Sequence, residues 1–535
     1  MTRSVHRIHR DSRLPVLLGK YSARPHVCWA LIALALMVGR VALLPWLPPP
    51  DPVVPDEFSY LLAADTFAHG RVANPPLEHP EFFESPHILA SPAYISKYPP
   101  GQGLVMALGQ RLTGNPYWGV VLSGSIMVFL FCWATNAWLP PQWALIAGFL
   151  SVMCFFVRDY WLSSYWGGAV AASAGALVTG GLGYVLRGTP GPARFSLGLG
   201  AIGLYVTRPY EGGVLCLAVL ALLAEHCLRL PAPQRRAIFT HVLLPNAALV
   251  LAAVPLALWH NANVTGNALE FPYELYQRQA DIVTPFWVLP PLPPKQYSSA
   301  NVTSYHQWEL STYWQVRQDA LPLLIGTQLV KFATNSLLVH FMAFSLLLLG
   351  LPWARIRKRK RHLLILFGAG LGTLLPEVWV MSHYGAPFFI VTMILIVAAG
   401  RALWYRAAAT PLGRAAFGIV LTSLLASVLL HTVSVIREKP NERARLVRDL
   451  VSRPGRDLVF VDCAPGWDDL QQWVYNGADL GSAPVIFAHD LGFQKNRTLI
   501  AGYPDRTVWR VVLGPKPTDV HLEQYAADAL NASSR

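Results

Sequence analysis

Charged residues are unusually scarce in this chain. Of its 535 residues, only 14% are Asp, Glu, Lys or Arg, whereas 53% are hydrophobic. A soluble protein carries about 25% charged residues. So few charges cannot cover a water-exposed surface of this size. This excludes a soluble globular enzyme and indicates an α-helical polytopic membrane protein.

Paired cysteines and phosphate-binding glycine loops are also missing. None of the 6 cysteines stands in a CxxC pair, and most of them lie in or beside apolar runs. Neither a disulfide framework nor a cysteine zinc site is therefore predicted. No glycine-rich loop follows a predicted strand, so the sequence does not indicate a nucleotide-sugar donor.

Long hydrophobic runs are abundant instead. A membrane-spanning helix needs about 20 mostly apolar residues, and windows of this kind predict about 11 spans. Residues 195–228 are divided into two spans at TRPYEGG, because Pro209 and the glycines would break a continuous helix. The predicted spans lie near residues 27–47, 117–138, 141–157, 166–187, 195–207, 211–228, 240–260, 321–352, 362–381, 385–405 and 414–436.

The net charge of +13 is concentrated in short loops between these runs. Lys and Arg in such loops mark the cytoplasmic side of a membrane protein, so no nucleic-acid partner is predicted. With the basic residues 1–26 in the cytoplasm, alternating spans place the long loops 48–116 and 261–320 outside. We therefore predict a multi-pass protein of the bacterial inner membrane, with a transmembrane domain over residues 27–436.

The last part of the chain, residues 437–535, has a different composition. Charged residues occur throughout it, and the runs DLVFVDC, APVIFAHDL and TVWRVVL have the character of short β-strands. Helix-compatible stretches lie between them. This pattern predicts a small C-terminal α/β domain, which the alternation of spans places outside the cytoplasm.

Acids and histidines collect at the predicted outer ends of the spans. Charges in or beside membrane segments are costly and usually have a partner or a function. In PDEFSYLLAADTFAHG, the spacing of Phe58, Leu61, Leu62 and Phe67 predicts a helix along the membrane surface, with an acid pair in its first turn. This distribution indicates an active site that faces outwards at the membrane boundary. The candidate residues are Asp56, Glu57, Lys97, Tyr98, Arg158, Asp159, Arg208, Glu211, Glu377, His383 and Tyr384.

Three short motifs resemble a known family. They are PDEFSY after the first predicted span, KYPPGQ before the second, and SHYGAP before a late span. Together they resemble the GT-C superfamily of membrane glycosyltransferases, which use polyprenyl-phosphate sugar donors. Within it, the motifs are similar to the protein O-mannosyltransferase and aminoarabinose-transferase branch. The resemblance covers roughly residues 27–436.

The resemblance implies sugar transfer outside the cytoplasm, from a polyprenyl-phosphate-linked donor lying in membrane lipid to a glycan, lipid or protein acceptor. In the resembled family the first acid of the pair is the general base, a role that would fall to Asp56. Glu57 would orient Asp56, contact the acceptor or help to bind a possible divalent metal. As a surface acid pair, the two would only favour the start of a helix.

The KYPPGQ motif supplies Lys97 and Tyr98 as candidates for contact with the donor. A lysine at headgroup level would neutralise the phosphate that departs from the sugar. The alternative for Lys97 is a lysine that extends along the membrane interface into water.

Two arginines have acidic neighbours in the sequence. Arg158 precedes Asp159 in RDYWLSSYW, and Arg208 lies three positions before Glu211 in TRPYEGG. An arginine binds phosphate through a fork of donors, so either one is a candidate for the donor phosphate. Each could instead pair with its acid and only fix the helices.

Three further candidates lie near a late span. Glu377 is predicted inside the apolar span 362–381, where a lone acid indicates a function. His383 and Tyr384 belong to SHYGAP at the outer end of that span, where they could contact phosphate or sugar. The alternative is a hydrogen-bonded helix cap with an interfacial aromatic residue.

Two other classes of function are compatible with the sequence. A lipid-linked sugar flippase or another transporter would also have buried charges and a broken helix. A non-catalytic membrane scaffold would bind a partner through its outer domain. The long, acid-bearing first loop and the lack of a detectable inverted repeat favour an enzyme. A scaffold would tolerate Asp56→Asn, whereas an enzyme would lose most of its rate.

Overall fold

The structure is a computed structural model that describes residues 24–155, 160–319, 358–415 and 441–525, apart from positions 465, 466, 469, 472 and 517, with parts of 323–327 and 418–422. The predicted span 321–352, most of the span 414–436, and the candidates Arg158 and Asp159 lie outside the described residues.

Helices make up most of the described chain. In chain order they are α1 (Pro25–Leu43), α2 (Pro55–Ala68), α3 (Gly101–Thr113), α4 (Tyr117–Trp138), α5 (Pro141–Phe155), α6 (Tyr160–Ser163), α7 (Ala169–Arg187), α8 (Ala193–Tyr205), α9 (Pro209–Leu228), α10 (Ala232–Ile238), α11 (Leu244–Thr265), α12 (Pro272–Gln279), α13 (Ala300–Gln318), α14 (Lys358–Leu374), α15 (Ala386–Ala409), α16 (Glu442–Val451) and α17 (Phe493–Gly502). A π-helical turn, Phe239–Leu243, joins α10 to α11, and short 3₁₀ turns lie at Pro80–Phe82 and Ser382–Gly385.

Several of these helices are long and apolar enough to cross a membrane. Among the described residues there are 6: Pro25–Leu43, Tyr117–Trp138, Ala169–Arg187, Pro209–Leu228, Ala232–Thr265 and Ser382–Arg406. Pro141–Phe155 and Arg361–Leu374 are shorter apolar helices. The predicted total of about 11 spans is not confirmed by the part of the chain that is described. The predicted break at TRPYEGG is confirmed, because α8 ends at Tyr205 and α9 begins at Pro209.

The predicted span 362–381 is wrong at its outer end. α14 ends at Leu374, and Pro376 cannot continue the helix because it lacks the amide hydrogen. Glu377 forms an isolated β-bridge with Phe286. The Trp287 amide donates a hydrogen bond to the Pro376 carbonyl at 2.9 Å. Glu377 therefore lies in a non-helical segment joined to the long outer loop, and its position inside a span is corrected.

Helices α4, α7 and α15 form the centre of the helical bundle. Most of each is buried, whereas the long helix Ala232–Thr265 exposes most of its apolar surface. Small residues allow the close contact of α7 with α15. A Cβ atom added at Gly175 would lie only 2.0 Å from the Pro387 carbonyl oxygen, so no larger residue fits there.

The C-terminal domain contains a four-stranded sheet in the order β4-β3-β5-β6. Strand β3 pairs in parallel with β4 and β5, and β6 is antiparallel to β5. The predicted runs are confirmed as three of these strands, and β6 was not predicted. A short antiparallel pair, β1 with β2, lies in the first long loop. The strands are β1 (Ile88–Leu89), β2 (Ile95–Ser96), β3 (Asp457–Cys463), β4 (Val485–His489), β5 (Thr507–Leu513) and β6 (Val520–Gln524).

Helix α2 packs against the C-terminal domain. Phe58 and Leu62 are fully buried, and the Phe58 ring centroid lies 4.7 Å from that of Tyr475. The Ala478 amide donates a hydrogen bond to Asp65 Oδ2 at 2.7 Å. The helix was predicted, and its course along the membrane surface stays a prediction, but Phe58 and Leu62 do not face lipid. They are buried by protein.

Candidate active site

Asp56 lies at the start of α2 and has a polar group of another side chain near each carboxylate oxygen. The Tyr98 hydroxyl donates a hydrogen bond to Oδ1, and His87 Nε2 lies 3.8 Å from Oδ2. Burial raises the pKa of Asp56 above its usual range, and Tyr98, Lys97 and Arg208 act in the opposite direction. The carboxylate is thus a stronger base than one in water, and 23% of its side chain is still exposed to solvent.

Glu57 fixes the position at which α2 begins. Its Oε2 accepts hydrogen bonds from the amides of Val53 at 2.8 Å and Val54 at 3.3 Å. Its Oε1 accepts one from the Tyr165 amide at 3.2 Å. These contacts cap the helix and attach it to the segment before α7. The two carboxylates of the acid pair therefore face different surroundings, and Asp56 is the one directed towards other polar side chains.

Lys97 is buried among aromatic rings. Its Nζ lies 4.4 Å from the ring centroid of Tyr276 and 4.8 Å from that of Tyr273, and 3.8 Å from Asp281 Oδ2. Cation–π contacts and the carboxylate together compensate for the lost hydration of the ammonium group. Because only 4% of Lys97 is exposed, its interpretation as a lysine that extends along the membrane interface into water is wrong.

A hydrogen-bonded network extends from His87 into the outer loop. The Tyr305 hydroxyl lies 3.0 Å from His87 Nε2 and donates to Glu309 Oε1 at 3.2 Å. His306 Nδ1 lies 2.8 Å from Glu309 Oε2. All of these side chains are buried. The network therefore connects the surroundings of Asp56 with helix α13.

Asp281, His306 and Glu309 could hold a metal ion. Their ligand atoms all lie within 4.8 Å of one another, and all three residues are buried. Carboxylates and imidazole are common ligands of divalent metals, which they bind at about 2.0–2.2 Å in the case of Zn²⁺. The chemistry and the proximity of the three side chains are compatible with such an ion. Lys97 already supplies one positive charge to Asp281, so the cluster is partly neutralised without a metal.

Arg208 and Glu211 pair across the first turn of α9. Arg208 Nη1 lies 3.6 Å from Glu211 Oε1, and its guanidinium carbon lies 4.4 Å from the ring centroid of Tyr384. The charge of Arg208 also acts on Asp56. Glu377 is buried close enough to interact with both members of the pair. The structure thus brings these residues to the same side of the site as Asp56.

His383 belongs to a second group of hydrogen bonds next to Arg208. Its Nδ1 lies 2.6 Å from the Tyr160 hydroxyl, which also accepts a hydrogen bond from the His383 amide at 3.0 Å. Ser382 Oγ accepts a hydrogen bond from Trp161 Nε1 at 2.9 Å. These contacts attach the start of the late span to α6, as expected of a helix cap. All of these contacts are within the protein, so a direct contact of His383 with a substrate stays a prediction.

Sequence reasoning missed several residues of the site. His306 and Glu309 stand three positions apart on one face of α13, and that spacing in a polar helix was an available signal. His87 and Asp281 lie in irregular loop segments that carry no such pattern. The residues missed are His87, Asp281, His306 and Glu309, with the hydroxyl groups of Tyr276 and Tyr305.

Comparison with solved structures identifies the fold. ArnT from Cupriavidus metallidurans bound to undecaprenyl phosphate superposes with a TM-score of 0.53 at 15% identity, covering 90% of this chain and 93% of that one. The apo form of ArnT superposes with a TM-score of 0.51 at 14% identity, covering 90% of this chain and 92% of that one. The Archaeoglobus fulgidus oligosaccharyltransferase in complex with Zn and sulfate gives 0.50 at 12% identity, over 91% and 67%. No protein-family model and no curated protein matches the sequence.

This chain therefore has the same fold as ArnT and the oligosaccharyltransferase, as the resemblance of its short motifs to the GT-C superfamily predicted. The likeness to ArnT extends over nearly the full length of both chains. At such low identity it establishes the architecture and leaves the activity to be argued from the site.

Proposed function

We propose that this protein is a membrane glycosyltransferase that moves a sugar from a polyprenyl-phosphate donor to an acceptor outside the cytoplasm. The observation that carries the proposal is Asp56, a partly exposed carboxylate with raised pKa that accepts a hydrogen bond from Tyr98 at Oδ1 and has His87 Nε2 near Oδ2. Two cationic side chains act on it, the buried Lys97 and the partly buried Arg208. The GT-C fold, one example of which was solved with undecaprenyl phosphate, supports a lipid-linked donor.

The reaction is written as one displacement. Asp56 takes the proton of the acceptor hydroxyl or amine while the acceptor atom bonds to the anomeric carbon. The bond from that carbon to the phosphate oxygen breaks, and its electron pair leaves with the phosphate. Lys97 and Arg208 stabilise the negative charge that develops there. A single displacement inverts the configuration of the anomeric carbon.

The remaining candidates have supporting roles in this proposal. Glu57 positions Asp56 by capping α2, and Tyr98 orients its carboxylate. Glu211, Glu377, His383 and Tyr384 hold Arg208 and the end of the late span around the donor. Arg158 and Asp159 remain candidates for the donor phosphate on sequence grounds.

A divalent metal would be held by Asp281, His306 and Glu309, and would add positive charge beside Lys97. No step of the proposed reaction requires it, because Lys97 and Arg208 already supply positive charge near Asp56. Whether a bound metal contributes is decided by adding or chelating metal in the transfer assay.

We further propose the bacterial inner membrane as the location, with the N-terminus in the cytoplasm. The transmembrane domain would comprise residues 27–436, and the outer domain residues 437–535. The loop-charge pattern supports this orientation, and the packing of the C-terminal sheet domain on α2 supports a location of that domain on the same side as Asp56.

The test is transfer of radiolabelled sugar from synthetic polyprenyl-phosphate donors to envelope acceptors by the purified protein. We expect Asp56→Asn to lower the rate by about 10²–10⁴-fold, the range for loss of a general base. Asp51→Asn is the matched control, because Asp51 lies in the same loop and pairs only at the surface with Arg448. Full activity of Asp56→Asn would contradict the assignment of the base. Donor that binds but crosses the membrane with its sugar still attached would favour a flippase.

A further inference from the structure

His87 has a backbone conformation that side chains rarely adopt. Its φ is +68°, and no other non-glycine residue in the described part of the chain has a positive φ. This region favours glycine, and a histidine there is under strain. Such a conformation persists where the surrounding structure enforces it, and such positions cluster at functional sites. The question is therefore what the imidazole does.

Three hydrogen bonds fix the backbone of His87 in this conformation. Its amide donates to the Tyr276 hydroxyl at 2.8 Å. Its carbonyl accepts from Ser59 Oγ at 2.6 Å and from the Lys97 amide at 3.1 Å. Ser59 lies on α2 and Lys97 in the KYPPGQ motif, so His87 is fixed to two elements that carry residues of the site. Its imidazole is held between Asp56 and Tyr305 as a result.

The contacts of the imidazole determine which nitrogen carries the proton. The carboxylate of Glu309 can only accept, so the Tyr305 hydroxyl donates to it. The Tyr305 oxygen is then an acceptor, and His87 Nε2 must be the donor. Nδ1 is buried and has no hydrogen-bond partner among the described residues. An unpaired lone pair there costs less than an unpaired N–H, which also favours a proton on Nε2.

A positive charge on this imidazole is disfavoured. Burial, together with the charges of Lys97 and His306, lowers the pKa of His87 well below its ordinary value. A neutral imidazole with its single proton on Nε2 cannot receive another proton at that atom. His87 is therefore unsuited to carry away the proton that Asp56 receives.

We propose that His87 is a positioning residue for the general base: as the neutral Nε2–H tautomer it donates to the Tyr305 oxygen and holds this polarised N–H group 3.8 Å from Oδ2 of Asp56, opposite the Tyr98 hydroxyl on Oδ1. The catalytic part of this proposal rests on the proposed function. The positive end of the N–H dipole would favour the ionised carboxylate and keep it turned towards the acceptor.

The experiment compares three substitutions of His87 and one control. Asn tolerates positive φ but is too short to place a donor at the Nε2 position, so His87→Asn should fold and lose the contact. The side-chain amide of Gln reaches about as far as Nε2, so His87→Gln should retain part of it. His87→Gly relieves the strain and removes the side chain. His79→Asn is the control, because His79 lies in the same loop and is only partly buried.

We expect His87→Asn and His87→Gly to lower kcat by about 10–100-fold with KM changed less than about twofold, and His87→Gln to lie closer to the wild type. Loss of the positive end of the N–H dipole beside the ionised form raises the pKa of Asp56, so the acidic limb of the pH–kcat/KM profile should move to higher pH. Glu57, Lys97, Tyr98 and Arg208, the other groups that act on Asp56, are unchanged. A merely structural histidine would lower the amount of folded protein without moving this limb.

Two results separate this proposal from the proposed function. If Asp56→Asn abolishes transfer while His87→Asn keeps both its kcat and its pH profile, the role of His87 is overturned and the enzyme stands. If the wild type transfers no sugar, the proposed function fails. The tautomer is then decided by ¹⁵N NMR of histidine-labelled protein, using the signal lost in His87→Asn. A proton on Nδ1, or a doubly protonated ring at neutral pH, would refute the inference.

Discussion

Lys97 and Asp281 form a buried ion pair within the site, with 3.8 Å between Nζ and Oδ2. A buried pair repays its lost hydration only where further contacts support both charges. Lys97 has such contacts with the rings of Tyr273 and Tyr276. Asp281 has a second carboxylate, Glu309, in the same cluster. The charged form of Asp281 is therefore less well stabilised by its surroundings than the charged form of Lys97.

This difference predicts a pH dependence of stability. Burial, opposed by Lys97, raises the pKa of Asp281 to about 6, whereas an unfolded aspartate titrates at about 3.9. Between these values the folded protein binds more protons than the unfolded chain, so its stability falls as pH rises from about 4 to about 6. In detergent, the midpoint temperature of thermal unfolding should change less with pH over this range in Asp281→Asn than in the wild type. Asp449→Asn, at an exposed position, should follow the wild type, and parallel curves for all three proteins would contradict the argument.

Helix α2 shows what the sequence predicts well at the scale of an element. Its acids and the spacing of its apolar residues predicted a helix, and one is present from Pro55 to Ala68. Which surface covers the apolar face could not be predicted. The spacing of apolar residues predicts that one face is buried but not which part of the protein covers it. Here the covering segment lies about 400 residues later in the chain.

The cap of this helix gives a second prediction. Glu57→Ala removes the acceptor of three backbone amides and should destabilise the protein by about 1–2 kcal/mol, as for loss of a helix cap. Because the carboxylate does not contact Asp56, kcat should fall far less than in Asp56→Asn. Thermal unfolding and the transfer assay measure the two effects, with the exposed Glu78→Ala as control. Loss of activity equal to that of Asp56→Asn, at unchanged stability, would instead assign Glu57 to the chemistry.

Some residues of the site could be predicted from local sequence, and others could not. Asp56, Lys97 and Tyr98 stand in short motifs, and the structure places them together. His87 meets Tyr305 across 218 positions of sequence, and only the packing of two irregular loops creates that contact. Glu377 was misassigned because hydropathy averaged over a span conceals the effect of one proline. Side-chain contacts between distant loop segments are therefore the part of the site that a single sequence does not predict.

At the scale of the whole molecule, Arg443 holds the C-terminal domain onto the first loop. It donates hydrogen bonds to the carbonyls of Trp473 and Tyr475, each at 3.0 Å, and its guanidinium lies 4.8 Å from the ring centroid of Phe58. The side chain is buried. It thus joins α16, the segment before β4, and α2 at one point.

Arg443→Ala should loosen this attachment. The two hydrogen bonds lie within the C-terminal domain, and loss of charged hydrogen bonds to buried carbonyls costs about 2–3 kcal/mol. Because the contact with the Phe58 ring of α2 is lost as well, we expect faster proteolytic release of the C-terminal domain under native conditions. Arg445→Ala removes an arginine of the same helix that pairs only at the surface with Glu442, and should be cleaved as slowly as the wild type. Equal cleavage rates for both variants would show that Arg443 does not hold the domains together.

The packing of α2 also limits how this protein can be engineered. Within one rigid helix of 14 residues, the first turn presents the acid and the third accepts the Ala478 amide. A shortened protein that ends before residue 437 would leave Phe58 and Leu62 uncovered close to the reacting carboxylate. The C-terminal domain therefore cannot be exchanged freely. A replacement from another protein would have to reproduce the surface that meets α2 in order to keep Asp56 in position.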